Sequence, residues 1–160
     1  MHEKSSISEF QKLCHALKLG ELQSVPVPVT GGLLHKMYAV GSATGKYAVK
    51  ALNPQIMTRP TAVNNYIMSE RIANYAAKFI PALSAKKFDG ESLQRLEDRY
   101  YLIFDWTSEN SLKHGGIDTT HCEKMGDILA KLHRIDFSVL GIETPRFSIY
   151  FGGMQPPSNR

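Results

Sequence analysis

The sequence predicts an α+β fold: a five-stranded antiparallel sheet, one long helix inserted after the third strand, and flanking helices. Three observations carry this expectation. Between residues 25 and 52, strand-like runs are joined by short glycine turns, the pattern of a meander. A helical periodicity follows over 59–78, where the chain leaves the sheet. Two more strand-like runs, 82–88 and 100–106, come after it and complete the sheet. Helices are expected on one side of that sheet.

Taken in order, Ile7, Phe10, Leu13, Cys14 and Leu17 recur at helical spacing over 7–19, with Ser6 or Ser8 as the cap and Gly20 as the stop. Residues 25–29, VPVPV, alternate so that Val25, Val27 and Val29 share one face. Pro26 and Pro28 have no N–H for a ladder, which sends this strand to an edge. Gly31-Gly32 turns the chain into a strand over Met37–Val40, and Gly41 to Gly45 turn it into a third over Lys46–Leu52. Pro54 to Thr58 reads as a loop. Thr58 is placed to cap the 59–78 helix, with Pro60 in its first turn. Asp89-Gly90 starts the link between the last two strands. Tyr100 to Trp106 has the aromatic and apolar content of a central strand. Asp118 or Thr119 caps a helix to about Arg134, with Cys122, Met125, Leu129 and Leu132 as its apolar stripe. The last segment, 146–160, is rich in Gly and Pro and reads as a loosely held tail.

Composition narrows the function classes. The chain has 160 residues, about one domain on the usual scale of roughly 100–200 residues. Its formal charge of +4 is scattered rather than blocked, which argues against a nucleic-acid surface. No window reaches the roughly 18 apolar residues of a membrane span, and the start has no apolar signal region, so a cytoplasmic protein with no membrane partner is expected. Cys14 and Cys122 lack zinc spacing and read as free thiols. No metal site is expected from these residues.

Two charges stand out because they interrupt apolar elements. Lys50 lies inside Tyr47-Ala48-Val49-Lys50-Ala51-Leu52, and Glu70 lies in the apolar stripe of the 59–78 helix. Each is costly to bury alone. The expectation is that they pair across the sheet–helix contact and that the ammonium also meets phosphate. The competing reading pairs Glu70 locally with Arg71 or Asn74. Gly31-Gly32 is by itself an ordinary hairpin former. The lysine one strand further on raises a second reading, in which backbone N–H groups of this turn cradle an anion. GSATGK, residues 41–46, is not a Walker loop: it is one residue short, no Ser or Thr follows the lysine, and strands flank it on both sides. His133, at a helix end, reads as a packing or capping residue.

Together these residues resemble the aminoglycoside phosphotransferase and choline kinase-like family, which has the protein-kinase-like fold. Thr30-Gly31-Gly32 to Tyr38 looks like its nucleotide-covering loop. Ala48-Val49-Lys50 resembles its A-x-K strand, with Glu70 as the partner glutamate. Tyr101-Leu102-Ile103-Phe104-Asp105-Trp106 is similar to its fifth strand and hinge, and Met125 to Asp136 to its helix ending in L-x-x-L-H-x-I-D. The likeness spans about residues 22–145. It implies a nucleotide-binding lobe over 1–106, a hinge and first helix towards a second lobe over 107–145, and the tail.

The resemblance further implies ATP, or GTP, held through Gly31, Gly32, Leu33, Leu34, His35, Ala48, Lys50, Glu70, Phe104, Asp105 and Thr107. Lys50 would orient the phosphates, Ala48 would pack on the base, and the backbone of Asp105 and Thr107 would bond its edge, with Phe104 behind. The family's H-G-D loop, its following asparagine and its metal-binding aspartate have no counterpart in this sequence. Phosphoryl transfer needs such groups. No catalytic residue is therefore expected here, Mg²⁺ is expected only with the second lobe, and the chain is expected to be a fragment or truncated form. In the intact enzyme a small-molecule acceptor would take the phosphoryl group on a hydroxyl. Apolar surface along the hinge and the 118–134 helix would be left open, inviting a homodimer or a folded-back tail. The reading from another class is a non-catalytic α+β module without nucleotide affinity.

Overall fold

Ser42 and Thr44 both donate to the Leu19 carbonyl, at 2.7 Å each, and so tie the turn after the first helix to the first long hairpin. The computed structural model, which describes residues 2–30, 33–108 and 115–142, builds outward from this hairpin. Strands β1 (Val27–Val29), β2 (Lys36–Ser42), β3 (Gly45–Ala51), β4 (Gln94–Leu96) and β5 (Arg99–Asp105) form one antiparallel sheet in the order β1-β2-β3-β5-β4. The fold is α+β, and the proline-bearing strand sits at the edge. The hairpin loop is only Ala43-Thr44, because Ser42 pairs with Gly45. GSATGK is thus largely strand.

Helix α1 (His2–Ala16) ends four residues before Gly20. The chain then turns through Lys18 and Gly20, both at positive φ. Gly20 is required there twice over: its φ is +78°, and a Cβ would stand 2.8 Å from the Ala43 Cβ. Phe10, Leu13 and Cys14 of α1 pack with Val40, Tyr47, Val49, Tyr101 and Ile103, the larger of two buried clusters.

Several boundaries differ from the sequence expectation: α1 begins at His2 and ends at Ala16 instead of spanning 7–19, so neither Ser6 nor Ser8 is its cap. Residues 54–58 are not a loop: Pro54–Met57 forms a short helix, α2, because the Asn53 side chain accepts the Gln55 N–H at 2.9 Å and Pro54 is preset for a first turn. Thr58 closes α2 instead of capping the next helix. The inserted helix α3 runs Ala62–Ala76, with Thr61 ahead of it making no side-chain cap. The run 82–88 is not a strand. Lys86 N–H reaches the Ile103 carbonyl at 2.7 Å, but the Ala85 N–H is taken by the Glu70 carboxylate at 3.1 Å, and the ladder does not continue. The fourth strand lies instead at Gln94–Leu96, after a tight turn with Asp89 and Gly90 at positive φ.

Helices cover both sides of the sheet, not one. Side chains alternate along a strand, so Val40, Val49 and Ile103 face α1, while Leu52 and Tyr100 face the opposite way. There Leu52, Met57 and Ala62 make the second cluster, joined by Val63, Tyr66 and Leu93. Helix α4 (Thr119–His133) is capped by Asp118, whose carboxylate accepts the His121 N–H at 2.9 Å. It buries no side chain. The segment after it meets α3 through Phe137 against Tyr75, ring centroids 5.9 Å apart, and through Arg71 donating to the Leu140 carbonyl at 2.8 Å. No described helix is long and apolar enough to cross a membrane.

Candidate functional site

Strand register assembles two rows of side chains on the sheet face opposite α1. Val27 pairs with Ala39, Ala39 with Ala48, and Ala48 with Phe104, giving one row across four strands. The next row is Val29, Met37, Lys50 and Leu102. In the first row two alanines lie between a valine and a phenylalanine. They leave a shallow apolar floor with a larger side chain at each end. In the second row Lys50 is the only charge. Of the sequence candidates, Ala48, Lys50 and Phe104 therefore share one face.

Val27, Val29, Met37 and Ala39 share that face and were not among the sequence candidates. The signal was available for the valines, since their alternation was legible, but which strand each would pair with was not.

The Asp105 backbone groups face away from the β3 ladder. Trp106 N–H donates to the Lys46 carbonyl at 3.2 Å. In an antiparallel ladder, hydrogen-bonded and non-hydrogen-bonded pairs alternate. The Asp105–Tyr47 pair is then a non-hydrogen-bonded one, and the Asp105 N–H and carbonyl turn away from β3. The Ile103 carbonyl, two residues earlier and turned the same way, is taken by Lys86. Asp105's side chain points to the other face, where Lys86 Nζ meets it at 2.7 Å. Thr107 follows, exposed.

Lys50 and Glu70 are not brought into an ion pair. Among the described residues the salt bridges are Lys12–Glu97, Lys86–Asp105, Arg95–Asp98, Arg99–Glu9, His121–Asp118 and Lys131–Asp127. Glu70 instead accepts the Ala85 N–H, and Asn74, one turn on, donates to the Glu70 backbone carbonyl at 2.8 Å. The half-buried Lys50 ammonium has no anionic partner among these residues.

His35 is held firmly. Its Nδ1 accepts the Asn53 N–H at 3.0 Å, so in the neutral ring the proton sits on Nε2 and is donated to the Tyr66 hydroxyl at 2.6 Å. Burial, and then the charge of Lys50, hold the imidazole below its ordinary value of 6.5. Burial raises the Tyr66 hydroxyl. Gly31 and Gly32 lie outside the described residues. Leu33 and Leu34 are exposed, Leu33 completely.

An enclosed space lies elsewhere. A cavity of about 210 Å³ lies on the α1 side, between Glu9 and Phe10 of the helix and Tyr38, Ala51 and Arg99 of the sheet. Of the candidates only Leu34 touches it. Of the two rows, Val27 and Val29 at the edge strand are exposed, whereas Ala39 and Leu102 are buried, at 9% and 1%. The described residues contain no group of three or more His, Cys, Asp or Glu able to hold a metal ion.

A scan against protein-family models finds no match to the chain, and a comparison with curated proteins finds none either.

Proposed function

We propose that the open face binds a purine nucleotide, ATP or GTP, and that the chain is the nucleotide-binding portion of a small-molecule phosphotransferase. The observation that supports this most is the two-row arrangement: an apolar row with two alanines at its centre, with a lysine in the adjacent row that has no anionic partner among the described residues. The base would lie over Ala39 and Ala48, between Val27 and Phe104. Its edge would meet the outward-turned N–H and carbonyl of Asp105, then Thr107. The phosphates would extend over Lys50 towards residues 31–35. Glu70 would exchange the Ala85 N–H for the Lys50 ammonium as the phosphates arrive.

Mg²⁺, bound with the phosphates, would neutralise charge on the transferring group. The carboxylates that hold it and position the acceptor hydroxyl would come from a second lobe. The acceptor class does not follow from these residues. Calorimetric titration with MgATP and with MgGTP tests the reading. Saturable binding is expected, weakened about tenfold or more by Lys50→Ala, which is about 1.4 kcal/mol. No saturable binding of either nucleotide at millimolar concentration would remove it.

A second reading, an interaction module, is favoured by one observation. The α4 stripe is uncovered, with Met125 56% and Leu129 45% exposed. That reading expects self-association or partner binding through α4, lost in Leu129→Glu by sedimentation, and no nucleotide affinity.

A further inference from the structure

His35, Asn53 and Tyr66 belong to three separate parts of the chain: the segment ahead of β2, the cap of α2, and α3. One imidazole joins them. Its Nδ1 accepts from the Asn53 backbone and its Nε2 bonds the Tyr66 hydroxyl, at 3.0 and 2.6 Å. The Tyr66 ring meets the imidazole edge to face, centroids 5.8 Å apart and planes 77° apart. Among the described residues this is the only side-chain hydrogen bond between residues 33–53 and α3. His35 lies two residues ahead of Met37, the register partner of Lys50, and the lysine's charge acts on its ring.

We propose that His35 and Tyr66 are positioning residues that latch the segment ahead of β2 onto α3, so that loop and helix move together when the open face takes a nucleotide's phosphates. The last clause rests on the nucleotide reading; the latch itself does not. The sequence assigned the sheet–helix link to Lys50 and Glu70, but Glu70 is engaged with Ala85. The neutral hydrogen bond through His35 does the joining and leaves the Lys50 ammonium free for an anion.

Acid should open the latch. A proton added to the ring goes on Nδ1, where it faces the Asn53 N–H, donor against donor. The charged residues on the neighbouring elements are Lys50 on β3, Lys36 on β2, Arg59 between α2 and α3, and Glu70 one turn past Tyr66 on α3. Of these, the Lys50 charge registers on the ring and opposes protonation.

The test is amide hydrogen exchange read by NMR on the free chain, with nucleotide titration of the same variants at pH 8. Tyr66→Phe should speed exchange at residues 34–37 and Asn53 about three- to tenfold. It should leave Val49 and Ile103 unchanged and weaken nucleotide binding severalfold. In the wild type, protection of Asn53 should fall as pH drops through the imidazole range. In His35→Asn, whose side-chain oxygen replaces Nδ1 as acceptor, that protection should persist and become independent of pH. Unchanged exchange at Asn53 and 34–37 in Tyr66→Phe, or faster exchange throughout the sheet, would overturn the latch. Local loosening with unaltered nucleotide affinity would overturn the positioning role. If the wild type binds no nucleotide, the function reading falls and the exchange data alone decide the latch.

Discussion

On the α1 side of the sheet, Val40 and Val49 are 1% exposed and Tyr101 and Ile103 not at all; on the other side, Val27 and Val29 are 59% and 37% exposed. Both faces are apolar, and the same strands supply them. They differ in what lies against them. Helix α1 seals its face with Phe10, Leu13 and Cys14. On the opposite face the cover reaches Leu52 and Leu102, which are 3% and 1% exposed, but not Val27 and Val29 at the edge strand. Apolar content in a strand therefore does not mark a core, and an interrupted apolar run can mark a surface where something else binds.

The largest effect should come from the sealed face. Phe10→Ala removes the ring that meets Tyr38, centroids 4.8 Å apart. It should cost about 3–5 kcal/mol in urea unfolding, against about 0.5 kcal/mol or less for Val27→Ala. Comparable losses from the two would erase the distinction between the faces.

Next comes the polar edge of the sealed face. Glu9 accepts from Arg99 at 2.9 Å and from the Tyr101 hydroxyl. Tyr101→Phe should cost about 1–3 kcal/mol, because Glu9 keeps its burial and loses a donor. Burial first, then the hydrogen bond to Glu9, raise the Tyr101 hydroxyl above its ordinary 10.0. The folded chain then holds this proton more tightly than the unfolded one. The contribution is whole below pH 10 and is lost as pH rises beyond it. An alkaline melting series should show this fall in the wild type and a flatter course in Tyr101→Phe.

On the open side, His35 gives the opposite sign. Its folded-state value lies below 6.5, so the stability it brings is present above pH 6.5 and fades as pH falls through the lowered value. Acid melting of His35→Asn should lack that limb; an identical acid limb would remove His35 as its source.

The smallest and sharpest test concerns Glu70. Glu70→Gln keeps an acceptor for the Ala85 N–H and should change stability by less than about 0.5 kcal/mol. If Glu70 turns to Lys50 when phosphate binds, the same variant should weaken nucleotide binding severalfold. Equal affinities would confine Glu70 to its bond with Ala85.

The sequence alone determined what local chemistry determines. The VPV run had to be an edge strand because proline lacks the ladder donor, and a capping side chain at Asp118 or Thr119 had to start α4; the structure chose Asp118, whose carboxylate accepts the His121 N–H. Class, strand direction and the α3 insertion followed from periodicity and turns. Tertiary structure decided what depends on competition between distant groups. Ala85 gives its N–H to Glu70, fifteen residues away, and with that one bond the 82–88 run leaves the sheet and Gln94–Leu96 takes its place. Glu70, so engaged, stands apart from Lys50. Which valines share a face with Ala48 depended on inter-strand register, and a one-residue slip would have turned them to the other side. Helix placement on both faces likewise depended on where α1's apolar stripe found cover. His35, legible only as one residue of a loop, became the tie between the segment ahead of β2, the start of α2 and α3, because folding brought Asn53 and Tyr66 to its two nitrogens.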